Sequence, residues 1–443
     1  MWCERKRSFV GLVKGNHGNL LADVDSPAML AALRARENTR GGPVKQTSGK
    51  VVDRSEQVSQ IRLLMERLDD GLNVDAGGFF HNPTSVYADP DLAERERRAF
   101  FAGHPHLVGL TGDLPEPGAF LTCDDLPTPL LGTRDEEGRF RAFVNSCRHR
   151  GVVLEERDRG EARRFTCPFH RWSYDIGGAL VGLPNADHFG DPDKACLGLV
   201  ELPAVEEAGL LWVHPDPEGT IDLDEQLGPA LRAELGSWNL GELSYLGRDD
   251  YDVACNWKLA MDTFGETYHF PALHSETIHL NFYGNVQCYD TYGRNHRMLL
   301  CKREIDGLRD LLEDEWEITT AALPVYWLFP NVQLMPFAEG IHLVRAYPSP
   351  TDPGRHVSRI TWYLRPGPAA DPQSREMLTM ISRGFGSIIR DEDYVVSASQ
   401  QRTASSGALD QVVFGRNEPA LHHYHGTYRR MLDMEPLPLL EHP

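Results

Sequence analysis

The sequence predicts an α+β protein built from two unlike parts, and three observations carry that prediction. Between Pro105 and Pro215 the chain runs in short β-like segments broken by Gly, Pro and Asp, the pattern of a small antiparallel β domain. After Asp249 longer strand-like runs alternate with helical ones, and a long helical stretch, about Asp371 to Gln401, follows the last strand. A sheet wrapped round a long helix, with a cavity between them, is the layout of an α+β ligand-binding domain.

In chain order, residues 1–52 mix Gly, Asn, Lys and Ser around one short helical run, Pro27 to Arg36, and read as a poorly ordered N-terminal extension. From Ser55 to Leu68 the apolar positions Val58, Ile61, Leu64, Met65 and Leu68 recur at three and four, which makes an amphipathic helix. A second helix, Pro90 to Phe101, starts at Asp89-Pro90. Residues 53–104 are therefore expected to be helices packed on the larger domain. The β domain, 105–220, gathers Ala119–Thr122, Leu130–Thr133, Phe140–Asn145, Arg164–Thr166, Ser173–Asp175 and Leu210–His214. The second domain, 221–443, opens on a helix near Leu227–Leu235 and continues with strand Tyr251–Asn256 and helix Leu259–His269. Strands follow at Asn285–Tyr292, Arg297–Cys301, Val332–Phe337, His342–Ser349 and His356–Leu364, and a last helix lies near Leu421–Leu432.

Composition narrows the function. A formal charge of −20 disfavours nucleic acid, because phosphates would be repelled by such a surface. No apolar run is long enough to span a bilayer and no signal peptide opens the chain, so a cytoplasmic protein is expected. The eight cysteines are irregularly spaced, unlike a disulfide framework, and some can serve as ligands.

Two loops of the β domain each offer one thiolate and one imidazole: Cys147-Arg148-His149-Arg150-Gly151 and Cys167-Pro168-Phe169-His170-Arg171-Trp172. Such a Cys₂His₂ set could hold tetrahedral zinc, but the Cys-x-His spacing is too short for a zinc finger. It suits a Rieske [2Fe–2S] cluster, with Cys147 and Cys167 on one iron and His149 and His170 on the other. Neutral imidazoles in place of two thiolates raise the potential of such a cluster. A second candidate site is the segment from Asp262 to His274, where His269 and His274 stand four residues apart with Glu266 three positions before the first.

With both features the sequence resembles the large (α) subunit of the Rieske non-haem iron oxygenases, the superfamily of aromatic-ring-hydroxylating and quaternary-ammonium oxygenases. The likeness covers roughly residues 55–435 and includes Asn256-Trp257-Lys258. It implies a Rieske domain followed by a helix-grip (START-like) catalytic domain holding mononuclear Fe(II) between two histidines and one carboxylate. By resemblance those are His269, His274 and Asp393, with Asp391 and Glu392 as alternatives in the same acidic cluster. Glu266 is expected to bridge an iron-bound histidine and a Rieske histidine of the neighbouring subunit in a ring-shaped homotrimer. Most relatives carry Asp there, and the Glu points towards the branch acting on quaternary ammonium compounds. Arg171 departs from the Gly often found at its position.

The resemblance implies O₂, a small organic substrate and an external reductase or ferredoxin as partners. The chain has no Gly-x-Gly-x-x-Gly between strand and helix to bind a nicotinamide or flavin itself. The runner-up is the α subunit of an aromatic-ring dioxygenase that needs a small β subunit. From another class comes a Rieske electron-transfer or ligand-binding protein without working iron. Trp172, Trp257 and Tyr268 read as packing residues, Tyr326 to Phe329 as buried structure that could otherwise cage a cation, and His422, His423 and His425 as structural.

Overall fold

The computed structural model describes residues 54–190 and 192–441, and the N-terminal extension with its expected helix lies outside them. The amphipathic run folds as α1 (Arg54–Asp70), whose Ile61 and Leu64 are fully buried. β1 (Phe80–Pro83) precedes α2 (Pro90–Glu96), which Asp89 caps by accepting from the Asp91 and Leu92 amides. The expected continuation to Phe101 is a π-helical turn, Arg97–Ala102, rather than α-helix.

Next come β2 (His106–Leu110), β3 (Ala119–Cys123), β4 (Leu130–Arg134), β5 (Phe140–Val144), β6 (Arg159–Glu161), β7 (Arg164–Thr166), β8 (Ser173–Asp175) and β9 (Leu180–Gly182). β10 (Glu201–Leu202), β11 (Ala204–Glu207) and β12 (Leu210–Val213) complete this part. They pair antiparallel in three small sheets, ordered β10-β5-β4-β3-β6, β7-β8-β9 and β11-β12-β2. Strands this short give little register information in sequence, and β2, β6 and β9 to β11 went unpredicted.

The remainder contains α3 (Leu223–Ser237), β13 (Ser244–Val253), α4 (Trp257–Asp262), α5 (Phe270–Leu273), β14 (Phe282–Tyr292), β15 (Asn295–Lys302) and β16 (Ala322–Leu328). It continues through β17 (Val332–Phe337), β18 (Gly340–Pro348), β19 (His356–Leu364), α6 (Pro372–Ile388), α7 (Tyr394–Ser406), β20 (Gln411–Phe414) and α8 (Pro419–Met431). Seven antiparallel strands form one sheet, β13-β19-β18-β17-β16-β15-β14, and β20 pairs with β1. The expected single helix 371–401 is α6 and α7 joined by a π-helical turn, Ile389–Asp393. Among the described residues no helix is long and apolar enough to cross a membrane.

The sheet separates two cores. One face packs Leu299, Tyr326, Leu334 and Leu343 with residues of α1 and α3, and the other packs Met298, Val325, Trp327 and Ile360 with residues of α4, α5, α8 and the π-helical turn. Tyr326 and Trp327 fall into different cores, as alternate strand residues must, so β16 does not present them together as a cage. Ion pairs fasten the small sheets to the large one: Arg359 meets Asp125 at 2.7 Å, Arg248 meets Asp158, and Tyr363 donates to Asp113 at 2.5 Å.

Lys258 and Glu96 are both 2 % exposed, with the ammonium 2.5 and 2.6 Å from the two carboxylate oxygens, and the Trp257 indole donates to the same carboxylate at 3.2 Å. The pair ties α2 to the start of α4, directly ahead of the ligand segment. Removing one partner leaves a buried charge, so Glu96→Ala should cost about 3–5 kcal/mol in denaturant unfolding. The double change Glu96→Leu with Lys258→Met should recover most of that loss.

Candidate metal centres

The helix expected to run to His269 stops short of it. α4 ends at Asp262, a turn carries Glu266 to Tyr268, and His269 and His274 flank the one-turn α5 as its N-cap and C-cap residues. Glu266 causes the break. Its Oε2 accepts from the Tyr268 amide and, at 3.1 Å, from the His269 amide, capping the new turn, and Pro271 supplies a favourable first-turn residue. Gly265 is required for a different reason: a Cβ there would stand 2.5 Å from the Leu421 side chain of α8. Tyr268, expected to pack, is 66 % exposed, because the turn directs it outward while Thr267 and His274 point in.

The three predicted iron ligands come together. His269, His274 and Asp393 each place a donor atom within 4.8 Å of the others, and among the described residues this is the one such set of His, Cys, Asp or Glu. Nε2 of His269 is 3.5 Å, and Nε2 of His274 3.3 Å, from Asp393 Oδ1. The opposite nitrogens are held by other carboxylates. Glu266 Oε1 bonds His269 Nδ1, and Glu392 Oε2 lies 2.6 Å from His274 Nδ1 while accepting from Thr277 Oγ1 at 2.9 Å. Both imidazoles thus have a carboxylate at the rear and a free face towards Asp393, the arrangement that fixes tautomer and aim in metal-binding histidines.

The same geometry sorts the acidic cluster. Asp391 is exposed and bonded through both oxygens, each at 2.6 Å, to Arg390, and Glu392 stands behind His274. Asp393 alone of the three faces both Nε2 atoms. Two imidazole nitrogens and a carboxylate oxygen within 4.8 Å of one another make a donor set that fits a divalent cation. Burial would press His269 down, but the hydrogen bonds it donates to the Asp393 and Glu266 carboxylates outweigh it and raise the imidazole to about 9. Burial would likewise raise Asp393, yet the two imidazoles hold it below its usual range.

Asp262 faces away from this set. It accepts from Tyr87 at 2.8 Å and lies 3.0 Å from His425 Nε2, so residues near β1 and on α8 brace the back of α4. His422 stacks on Phe80, and His423 Nδ1 is 3.1 Å from His296 Nδ1, so each of the three C-terminal histidines has packing partners.

The Cys-x-His and Cys-x-x-His loops lie in the β domain. Cys147 and Cys167 are 3 % and 2 % exposed, and the His149 and His170 rings are 4.6 Å apart. Nδ1 of both histidines is buried without a hydrogen-bond partner, which leaves two imidazole donors unspent beside two thiols, as a cluster bound by Cys₂His₂ requires. Trp172 stacks on His149 at 5.1 Å. Tyr174 accepts from the Arg148 amide at 3.0 Å, with its hydroxyl 3.5 Å from Cys147 Sγ.

The loops match each other. Gly151 and Arg171, each four residues after its cysteine, donate their amides to the carbonyls of Cys147 and Cys167 at 2.9 and 3.0 Å. Both are left-handed, with φ of +73° and +63°. Gly suits that conformation and Arg does not, so the backbone is kept at the cost of strain at Arg171.

Three outcomes follow. Arg171→Gly should raise stability by up to about 1 kcal/mol in urea unfolding. Glu392→Ala, which removes the acceptor behind His274 Nδ1, should weaken iron retention by ~10–100-fold in a chelator competition. In metal-free protein the raised His269 contributes stability that is full below about 6.5 and lost as pH rises through about 9, read as a falling unfolding midpoint that added Fe(II) abolishes.

Residues 104–202 match the Rieske [2Fe-2S] domain model, and 240–434 match the ring hydroxylating alpha subunit catalytic domain. The biphenyl dioxygenase alpha subunit of Metapseudomonas furukawaii is 32% identical over 196 residues, 42% of this chain and 43% of that protein. The anthranilate 1,2-dioxygenase large subunit of Acinetobacter baylyi is 30% identical over 215 residues, 47% of this chain and 45% of that one. The chain thus spans less than half the length of the curated relatives it matches. Solved structures share the fold: the quaternary ammonium Rieske monooxygenase CntA with L-carnitine has a TM-score of 0.67 at 20% identity, covering 80% of this chain and 96% of that one. Naphthalene 1,2-dioxygenase from Rhodococcus sp. has a TM-score of 0.63 at 18% identity, covering 85% and 98%. In one chain, then, a Rieske [2Fe-2S] domain is followed by a ring hydroxylating alpha subunit catalytic domain.

Proposed function

We propose that this protein is an oxygenase that uses O₂ and externally supplied electrons to hydroxylate or demethylate a small organic substrate. The observation that carries the reading is the His269, His274 and Asp393 set, each imidazole backed by its own carboxylate, in one chain with the paired Cys-x-His and Cys-x-x-His loops. In this reading residues 105–220 hold the [2Fe–2S] cluster through Cys147, His149, Cys167 and His170. Residues 221–443 hold mononuclear iron through His269, His274 and Asp393, with 53–104 packed against them. An iron in a two-His, one-carboxylate site keeps positions open for O₂ and substrate and supplies the oxidising chemistry.

The chain's own residues do the positioning. Glu266 and Glu392 hold the protonated Nδ1 edges of His269 and His274, so that both Nε2 atoms present lone pairs on the Asp393 side. Glu266 also belongs, in this proposal, to a bridge towards a Rieske histidine of the adjacent subunit of a homotrimer. The working protein is cytoplasmic and depends on a separate reductase or ferredoxin.

A second reading, the alpha subunit of an aromatic-ring dioxygenase with a small β subunit, is favoured by the identities of 30–32% with biphenyl and anthranilate dioxygenase alpha subunits. The Glu at 266 favours the quaternary ammonium branch instead.

Anaerobically reconstituted protein should contain cluster iron and matching sulfide plus one further iron per chain, and should consume O₂ only with reductant. A full cluster without the further iron would mark an electron-transfer or binding protein, and missing Rieske absorption bands would overturn the whole reading. Glu266→Gln should leave both centres loaded and slow turnover by ~10–100-fold. Native mass spectrometry separates a trimer of this chain from one that also carries β subunits.

A further inference from the structure

Resting on the oxygenase reading, we infer that Gln287 and Tyr289 form a hydrogen-bonding wall of the substrate cavity, and that the substrate carries a neutral acceptor such as a carbonyl oxygen. Both residues lie on β14 two positions apart and so share one face of the sheet. It is the iron side: Tyr289 packs on the core that contains Phe270 of α5 and Ile389 of the π-helical turn, while the intervening Cys288 packs on the opposite core. Gln287 is reached by Thr267 Oγ1, 3.4 Å from its Oε1, and Thr267 stands two residues before His269.

Gln287 is fully buried, yet its Nε2 has no acceptor, and the buried hydroxyl of Tyr289 has no partner either. Buried donors are nearly always satisfied, so two unspent ones on one face of a strand that meets the metal-ligand loop through Thr267 mark where another molecule completes them. Further along the same face, Tyr289 lies 5.4 Å from His296, and Gln333 donates to Tyr424 at 2.7 Å while its own Oε1 stays unpartnered.

Charge decides the class of ligand. Burial pushes the imidazoles on this face, His296 and His342, down, His342 to about 3, so both are neutral. Arg297 and Arg345 of the same strands are committed elsewhere, to Glu234 at 2.6 Å and to the Val108 carbonyl. At this pair a carboxylate would find no free cation among the described residues, and an ammonium group would face two donors, the unpartnered acceptor Gln333 Oε1 lying further along the face. A carbonyl oxygen takes both donors without burying charge.

The test uses the full chain with both centres loaded, reduced and anaerobic, titrated calorimetrically with acetophenone and with ethylbenzene, which differ in shape little but in the carbonyl oxygen. Acetophenone should bind on the order of tenfold more tightly, and Gln287→Leu or Tyr289→Phe should each bring the ratio towards one. Tyr289→Phe removes a single hydroxyl and keeps the test valid if Gln287→Leu misfolds. Equal or undetectable wild-type affinities, or a ratio unchanged in the variants because the donors serve only bound water, would overturn the inference. Oxygen uptake is measured separately: its absence with carbonyl discrimination intact would sink the oxygenase reading and leave this site standing.

Discussion

Three carboxylates converge on two imidazoles in a space nearly closed to solvent, and the protein interior tolerates that concentration of negative charge only when positive charge sits among them. In the metal-free chain the carboxylates raise the proton affinity of both imidazoles. Much of the surrounding architecture serves this balance. The Glu96–Lys258 pair anchors the start of α4, Asp262 with Tyr87 and His425 anchors its end, and Gly265 lets α8 approach the turn between.

The Rieske loops are built on a different economy. They need no network of acids, because the cluster they suit is bound by two buried thiols and two imidazole nitrogens left bare for it. What shapes them is backbone: two left-handed residues, Gly151 and Arg171, close equivalent turns onto the cysteine carbonyls. One centre is therefore specified by local chain geometry and the other by side chains from remote segments.

That contrast explains what was legible in the sequence. Cys147, His149, Cys167 and His170 sit in two short loops, so their spacing carries their chemistry. The His269 and His274 pair is legible as a candidate, but the helix read as far as His269 ends at Asp262, and Glu266 accepts from the Tyr268 and His269 amides in the turn that follows. Choosing among Asp391, Glu392 and Asp393 was beyond helical periodicity, since the π-helical turn Ile389–Asp393 alters the angle between successive side chains. Tyr268 reads as packing because aromatic residues usually are buried, and only the turn exposes it. Gln287 and Tyr289 gave no signal at all: an unspent hydrogen bond belongs to tertiary structure, and a strand sequence does not record it.

His274 and Glu392 lie 118 positions apart in the chain, yet they meet at 2.6 Å, and Asp393 beside Glu392 closes the other side of the same ring. No local helix or hairpin can assemble such a site. Its parts come from segments that only the long-range topology brings together, at the loop-closure cost of distant contacts. The integrity of this site therefore reports on the topology of the whole domain rather than on any one segment.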